Sequence, residues 1–130
     1  MQHEKEIEIR WRDLDAYSHV NHIVFLTYLE EARDEWLGRS LGDPARVWDY
    51  VVARIEIDYR RELTLEDDRV VARCTLESLG TSSLVTNEAV LTREGEVAAE
   101  AKAVLVARDA QSGRSRPLTD DERLAFEGVP

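Results

Sequence analysis

The chain is poor in the features that mark several protein classes. It has one cysteine, Cys74, so no internal disulfide can form. A small apolar residue in an alternating run is the expected role of Cys74, and a reducing cytoplasm is the compartment that suits it. Three prolines and six glycines leave no low-complexity stretch, and no internal repeat is visible. No apolar run approaches the ~18 residues that a membrane span needs. The N-terminal MQHEKEIEIRWR is charged and alternating, unlike a secretory signal. Basic residues are scarce: 17 Lys and Arg stand against 27 Asp and Glu, a net charge of −10. That field repels nucleic acid and anionic membranes, though local arginines such as Arg60–Arg61 and Arg114–Arg116 could still hold the phosphates of a small ligand.

What is present suits one domain spanning residues 1–130. The chain is 43% hydrophobic over 130 residues, enough for one packed core and too short for two. Residues 5–12 alternate, with Ile7, Ile9 and Trp11 on one face, as in a half-buried strand. A helix is predicted from Asn21 to Arg39, where Phe25, Leu29, Ala32 and Trp36 recur every three or four residues. Asn21 is the favoured N-cap and Ser18 the competitor. The first half of this helix is apolar around most of its circumference and the second half is charged on one side, so the helix is expected to start buried and to emerge at its end. Four alternating strands follow. Val51, Ala53, Ile55, Ile57 and Tyr59 share a face in the first. Val70, Ala72, Cys74 and Leu76 share one in the next. SLVTNEAVLT and the run from Val97 to Leu105 make the last two, joined by a hairpin turn at Gly95. The small residues of the last strand suggest the close approach of a bulky element such as the helix. DAQSGRSRP has the look of a mobile loop, and TDDE, Thr119 to Glu122, matches a capping box that opens a short helix over 120–127. The order β-α-β-β-β-β predicts an α+β fold, an antiparallel sheet curled around one long helix. Such a sheet keeps a free edge, which predicts pairing between two copies.

The densest chemistry lies in WRDLDAYSHVNHIVF, where a strand gives way to the helix. The free N–H groups of a buried helix start carry partial positive charge and can bind an anion. A carboxylate just upstream, Asp13 or Asp15, would sit within a few residues of those donors. A carboxylate that attacks an acyl carbon or activates a water, opposite amides that hold the developing oxyanion, suits acyl transfer. An aspartate before a helix is also a common cap or turn residue. His19 and His22, three residues apart, invite a metal reading with either aspartate, but no fourth ligand follows the pattern, so no metal is expected. His19 reads as a hydrogen-bonder that locks the turn, and Glu30 and Glu31 read as helix residues paired with Arg33.

RWRDLDAYSHVNHIVFLTYLEEAR resembles the N-terminal signature of the hotdog-fold acyl-CoA thioesterases, in their 4-hydroxybenzoyl-CoA thioesterase-like branch. That signature has a D-x-D pair, a short turn, a helix start bearing histidine or tyrosine, and a terminal E-x-A-R. VVARIEIDYRREL resembles the family's second strand and VLVARDAQSGRSRPL its last strand and tail, so the likeness spans nearly the whole chain. The resemblance implies a five-stranded hotdog sheet with a short C-terminal helix. It places the catalytic carboxylate on Asp15 and the oxyanion donors on the backbone of His22 and Ile23, with the His22 side chain a further participant. Tyr17, His19 and Asn21 would shape the turn, which reads AYS where some branches carry glycine. Glu30 and Arg33 would be structural. Glu31 is a reserve carboxylate, because other branches draw theirs from the middle of the helix. The acyl group would lie against Phe25, Ile57 and Tyr59, and CoA phosphates would meet Arg60, Arg61 and Arg108. Asp15 would act as nucleophile or as general base. No cofactor is implied, since CoA is part of the acyl-CoA thioester substrate, and a homodimer or homotetramer is expected. Two rivals belong to other classes. One is a hotdog enoyl-CoA hydratase using Asp15 and His19, although its D-x-N-P-x-H pattern is missing. The other is a non-catalytic binder of acyl-CoA or acyl-carrier protein.

Overall fold

Strand β1 (Gln2–Glu8) leads through a 3-10 turn at Trp11–Asp13 into helix α1 (His22–Leu41). The remaining strands are β2 (Tyr50–Tyr59), β3 (Arg69–Leu79), β4 (Ser83–Thr92) and β5 (Val97–Ala107), and helix α2 (Asp120–Glu127) closes the chain. These come from a computed structural model, which describes residues 2–128. All five strands join one antiparallel sheet in the order β1-β3-β4-β5-β2, which leaves β1 and β2 at its edges.

The expected alternation holds in the central strands, where Val70, Ala72 and Cys74 of β3 and Leu84, Thr86, Glu88 and Val90 of β4 are buried. Gly95 turns the β4–β5 hairpin at φ +92°, where an L side chain would be strained. Asn21 caps α1 and Gly42 ends it in the left-handed region. At α2 the Thr119 side chain accepts from the Glu122 amide while the Glu122 carboxylate accepts from the Thr119 amide, the predicted capping box. The backbone of α1 runs closest to β1, β3 and β4, not to the small residues of β5. Ala98, Ala99 and Ala101 instead share a core cluster with Phe25, Tyr28 and Leu29.

Four expectations need correction. The first strand ends at Glu8, and Trp11 lies in the following turn, 79% exposed, while Ile7 and Ile9 are buried. The chain must leave the sheet there to reach the helix, so the alternation outruns the strand. Helix α1 does not emerge at its end. Trp36 and Leu37 are buried, whereas Ile23 at the start is exposed. The reason is α2: Phe126 stacks on Trp36 at 5.5 Å between ring centroids and meets Tyr50 edge-on at 5.7 Å. Arg33 does not pair with Glu30 or Glu31. It reaches across to β4 and grips Glu88 with two bonds of 2.8 Å. Arg116 is held by the buried Glu122, so it is not a free phosphate ligand.

Candidate active site

The connection from the Trp11–Asp13 turn to α1 is a small loop pinched by a bridge between Leu14 and Val20. Inside it the Asp15 amide donates to the His19 carbonyl at 2.9 Å and the Ser18 amide to the Asp15 carbonyl at 3.0 Å. Ser18 accepts a φ of +64° to make this turn. The loop is tied down at its far end, where the Val20 amide donates to the Leu63 carbonyl (2.7 Å) and the Asn21 amide to the Asp13 carbonyl (2.9 Å).

The two aspartates have different surroundings. Asp13 is 8% exposed. Its Oδ2 accepts from the Arg10 amide at 2.9 Å and from the Tyr28 hydroxyl at 2.7 Å, bonds that pin the 3-10 turn to the buried face of α1. Burial, and then the Asp13 carboxylate, push the Tyr28 phenol well above its usual range, so it remains a donor. Asp15 is half-buried. Its Oδ1 accepts from the Tyr17 amide at 2.9 Å, an Asx turn that aims the group without using it up. Its Oδ2 has no partner among the described residues.

The first turn of α1 presents one free amide. The Asn21 cap accepts the Ile23 amide on its side-chain oxygen at 2.9 Å and the Val24 amide on its carbonyl at 2.8 Å. The Ile23 amide is therefore occupied by the predicted Asn21 cap and is not free to serve as the oxyanion donor expected of it. The His22 amide, at the first helical position, has no partner among the described residues, as expected of a helix N-terminus.

Asp15 and His22 line one open cleft of about 350 Å³ with Val20, Phe25 and Tyr59. Phe25 and Tyr59 meet edge-on at 5.2 Å, and the Tyr59 ring lies 6.1 Å from His22. The rim carries His19, Arg60, Arg61 and Glu62. His19 Nε2 lies 3.3 Å from Glu62, so its ring is engaged there and not by Asp15, and the Asp–His pair of a hydratase is not formed. Arg60 reaches Glu100 at 3.2 Å, and Arg61 reaches Asp67 at 3.2 Å and Glu96 at 3.0 Å. Other expected site residues lie elsewhere. Tyr17 contributes its amide, with its side chain 80% exposed. Ile57 packs against the core. Arg108 donates to the Trp48 carbonyl at 3.2 Å, at the other end of β2, and Glu31 does not line the cleft. Val20 and Glu62 do line it, and neither carries a local signal in the sequence. Among the described residues, no three His, Cys, Asp or Glu side chains are grouped to hold a metal ion.

A five-stranded antiparallel sheet on one long buried helix, with a cleft where that helix begins, defines a hotdog-fold protein. The chain belongs to the thioesterase-like superfamily, whose sequence profile matches residues 9–126, and it is a thioester hydrolase. It is 32% identical over 127 residues to the long-chain acyl-CoA thioesterase FadM of Escherichia coli (strain K12), covering 94% of this chain and 95% of the relative. A thioesterase from Thermus thermophilus, solved with coenzyme A and zinc, superposes with a TM-score of 0.87 at 37% identity, covering 95% of this chain and 96% of the other. The Pseudomonas aeruginosa protein PA2801 superposes at 0.82 with 33% identity and the same coverage. Among the described residues, no helix is long and apolar enough to cross a membrane.

Proposed function

We propose that the chain hydrolyses acyl-CoA thioesters to the free acid and CoA, with Asp15 as the reacting carboxylate and the His22 amide as the oxyanion donor. The observation that carries this reading is the placement of an unpaired carboxylate oxygen and an unpaired helix N-terminal amide on one cleft with aromatic walls. The thioester carbonyl rests against the His22 N–H, and the acyl chain lies along the wall that Phe25 and Tyr59 form together. In one route the Asp15 oxygen attacks the carbonyl carbon, the C–S bond breaks as the oxyanion collapses, and water hydrolyses the mixed anhydride. In the other, Asp15 takes the proton of the attacking water. Thiolate is a good leaving group, so neither route needs a strong general acid. Ile23, with its amide held by the cap, supports the donor instead of acting as one.

Arg60 and Arg61 are the cations that line the cleft, and they would meet CoA phosphates by exchanging their present carboxylate partners. CoA enters as part of the substrate and no further cofactor is required. The name of the E. coli relative puts long acyl chains first among substrates to try. The free edge of β2, with Val51, Val52 and the neighbouring Trp48 exposed, favours a dimer built by edge pairing, which sedimentation equilibrium would read as twice the chain mass. A buried thiol with no disulfide partner suits the cytoplasm.

The test is thiol release over a panel of acyl-CoA esters, run on the wild type and on Asp15→Asn. Removing a reacting carboxylate is expected to lower turnover by ~100-fold or more in a variant whose thermal unfolding matches the wild type. Near-normal turnover in a folded Asp15→Asn would remove the assignment.

A further inference from the structure

The peptide group joining His22 to Ile23 is gripped at both ends. Its N–H is held by the Asn21 side chain at 2.9 Å. Its C=O accepts from the Tyr59 hydroxyl at 2.8 Å. The first grip is local, a helix cap formed by the preceding residues. The second comes from the last residue of an edge strand, 37 positions away. Between them they fix the orientation of the residue whose own amide is the free donor of the cleft.

We infer that Tyr59 is a positioning residue for thioester hydrolysis: its hydroxyl, bonded to the His22 carbonyl, holds the His22 amide in line with the substrate carbonyl. The inference rests on the reading of the His22 amide as the oxyanion donor. Tyr59 is suited to the task by its place in the fold. Its backbone is paired with Ala99 of β5, so the strand end is fixed. Its ring is braced edge-on by Phe25 at 5.2 Å. Burial raises its phenol above the usual range, so the hydroxyl keeps its proton and keeps donating. Yet the residue is 43% exposed, so its hydroxyl is not required to fill a core. An oxyanion donor acts only if it points at the place where charge develops. Small misalignments far from the bond being broken are costly for that reason.

Tyr59→Phe removes the hydroxyl and keeps the ring that walls the cleft. The expected result is a kcat lower by about three- to tenfold, the size of one lost hydrogen bond, with KM and the thermal midpoint close to wild type. The second readout is the carbonyl itself. A ketone analogue of the fastest-turning acyl-CoA, with methylene in place of sulfur and carbon-13 at the carbonyl, reports polarisation by the donor through its NMR shift. The wild type and Asp15→Asn should move that resonance downfield from the free ligand, and Tyr59→Phe should move it less. A Tyr59→Phe enzyme with wild-type kcat or the full carbonyl shift would overturn the inference, as would a raised KM at unchanged kcat, which would make Tyr59 a wall and nothing more. Failure of the underlying reading has a different signature: active Asp15→Asn, or no carbonyl shift in the wild type.

Discussion

Arg33 and Glu88 are both shielded from water, with 3% and 0% of their side chains exposed. The guanidinium meets the carboxylate with two parallel bonds of 2.8 Å, and the Thr86 hydroxyl adds a third at 2.6 Å. Opposite charges buried this way stabilise little by comparison with an apolar pair of the same volume, but each is costly when left alone. Arg33→Met leaves the Glu88 carboxylate buried with only the Thr86 hydroxyl and the weak Cys74 thiol donor, and should cost ~3–5 kcal/mol. Glu88→Leu should cost a similar amount by orphaning Arg33. At roughly 2 cal/mol/K of unfolding entropy per residue, a chain of this length would lose about 11–18 °C in thermal midpoint from either change. The double variant should recover most of the loss. It leaves the buried Thr86 hydroxyl without its acceptor, worth ~1 kcal/mol, so adding Thr86→Val should bring stability near the wild type. Urea unfolding read by tryptophan fluorescence at matched protein concentration measures all four variants, with Trp36 packed on the same helix. If either single variant lost less than about 1 kcal/mol, or if the double variant lost the sum of the singles, the pair would not be the coupled unit described.

Two further outcomes follow from other contacts. Burial works against the charge of Glu122, but the Arg116 fork, the Thr119 amide and the Tyr50 hydroxyl outweigh it and hold the carboxyl at about 2, below its ordinary 4.5. A depressed carboxylate stabilises the fold above its unfolded value and loses that contribution as pH falls toward the folded one. Glu122→Gln should therefore cost on the order of 2–3 kcal/mol at neutral pH, with the gap to wild type closing between pH 4.5 and about 2 in acid unfolding curves; a gap independent of pH would contradict the pairing. Ser18 holds a φ of +64°, where a side chain costs roughly 1–2 kcal/mol. Ser18→Gly should relieve that strain, offset in part by glycine's freer unfolded chain, for a net gain of up to about 1 kcal/mol with hydrolysis unchanged, and a loss of stability in urea would count against it.

The parts of this molecule that could be read from its sequence are those encoded within a few residues of themselves. Asn21 capping α1, the Thr119–Glu122 box at α2 and the Gly95 hairpin each need only neighbours three or four positions away. The core of the site belongs to the same class, because Asp15 and His22 flank one short loop. Even there, spacing alone offered two equivalent aspartates, and only the family resemblance chose Asp15. What separates them is the 3-10 turn at Trp11–Asp13, which rotates Asp13 inward onto Tyr28 while the next turn leaves Asp15 facing the cleft. Contacts made across the sheet were not legible. Arg33 had acidic neighbours on its own helix, and only the strand order brings Glu88 to it, 55 positions away. The charged second half of α1 suggested an exposed end, since nothing local to it announces that Phe126 returns to cover Trp36. Tyr59 read as an apolar position in an alternating strand and, through the family resemblance, as a wall of the acyl site; its hydroxyl gains a partner only when β2 ends beside the start of α1. The division has a consequence for the chemistry. The loop that carries Asp15 can be built by local rules, but the Tyr59 hydroxyl on the His22 carbonyl comes from an edge strand that the loop does not contain. Changes to β2 far from Asp15 should therefore reach turnover through Tyr59 before they reach binding.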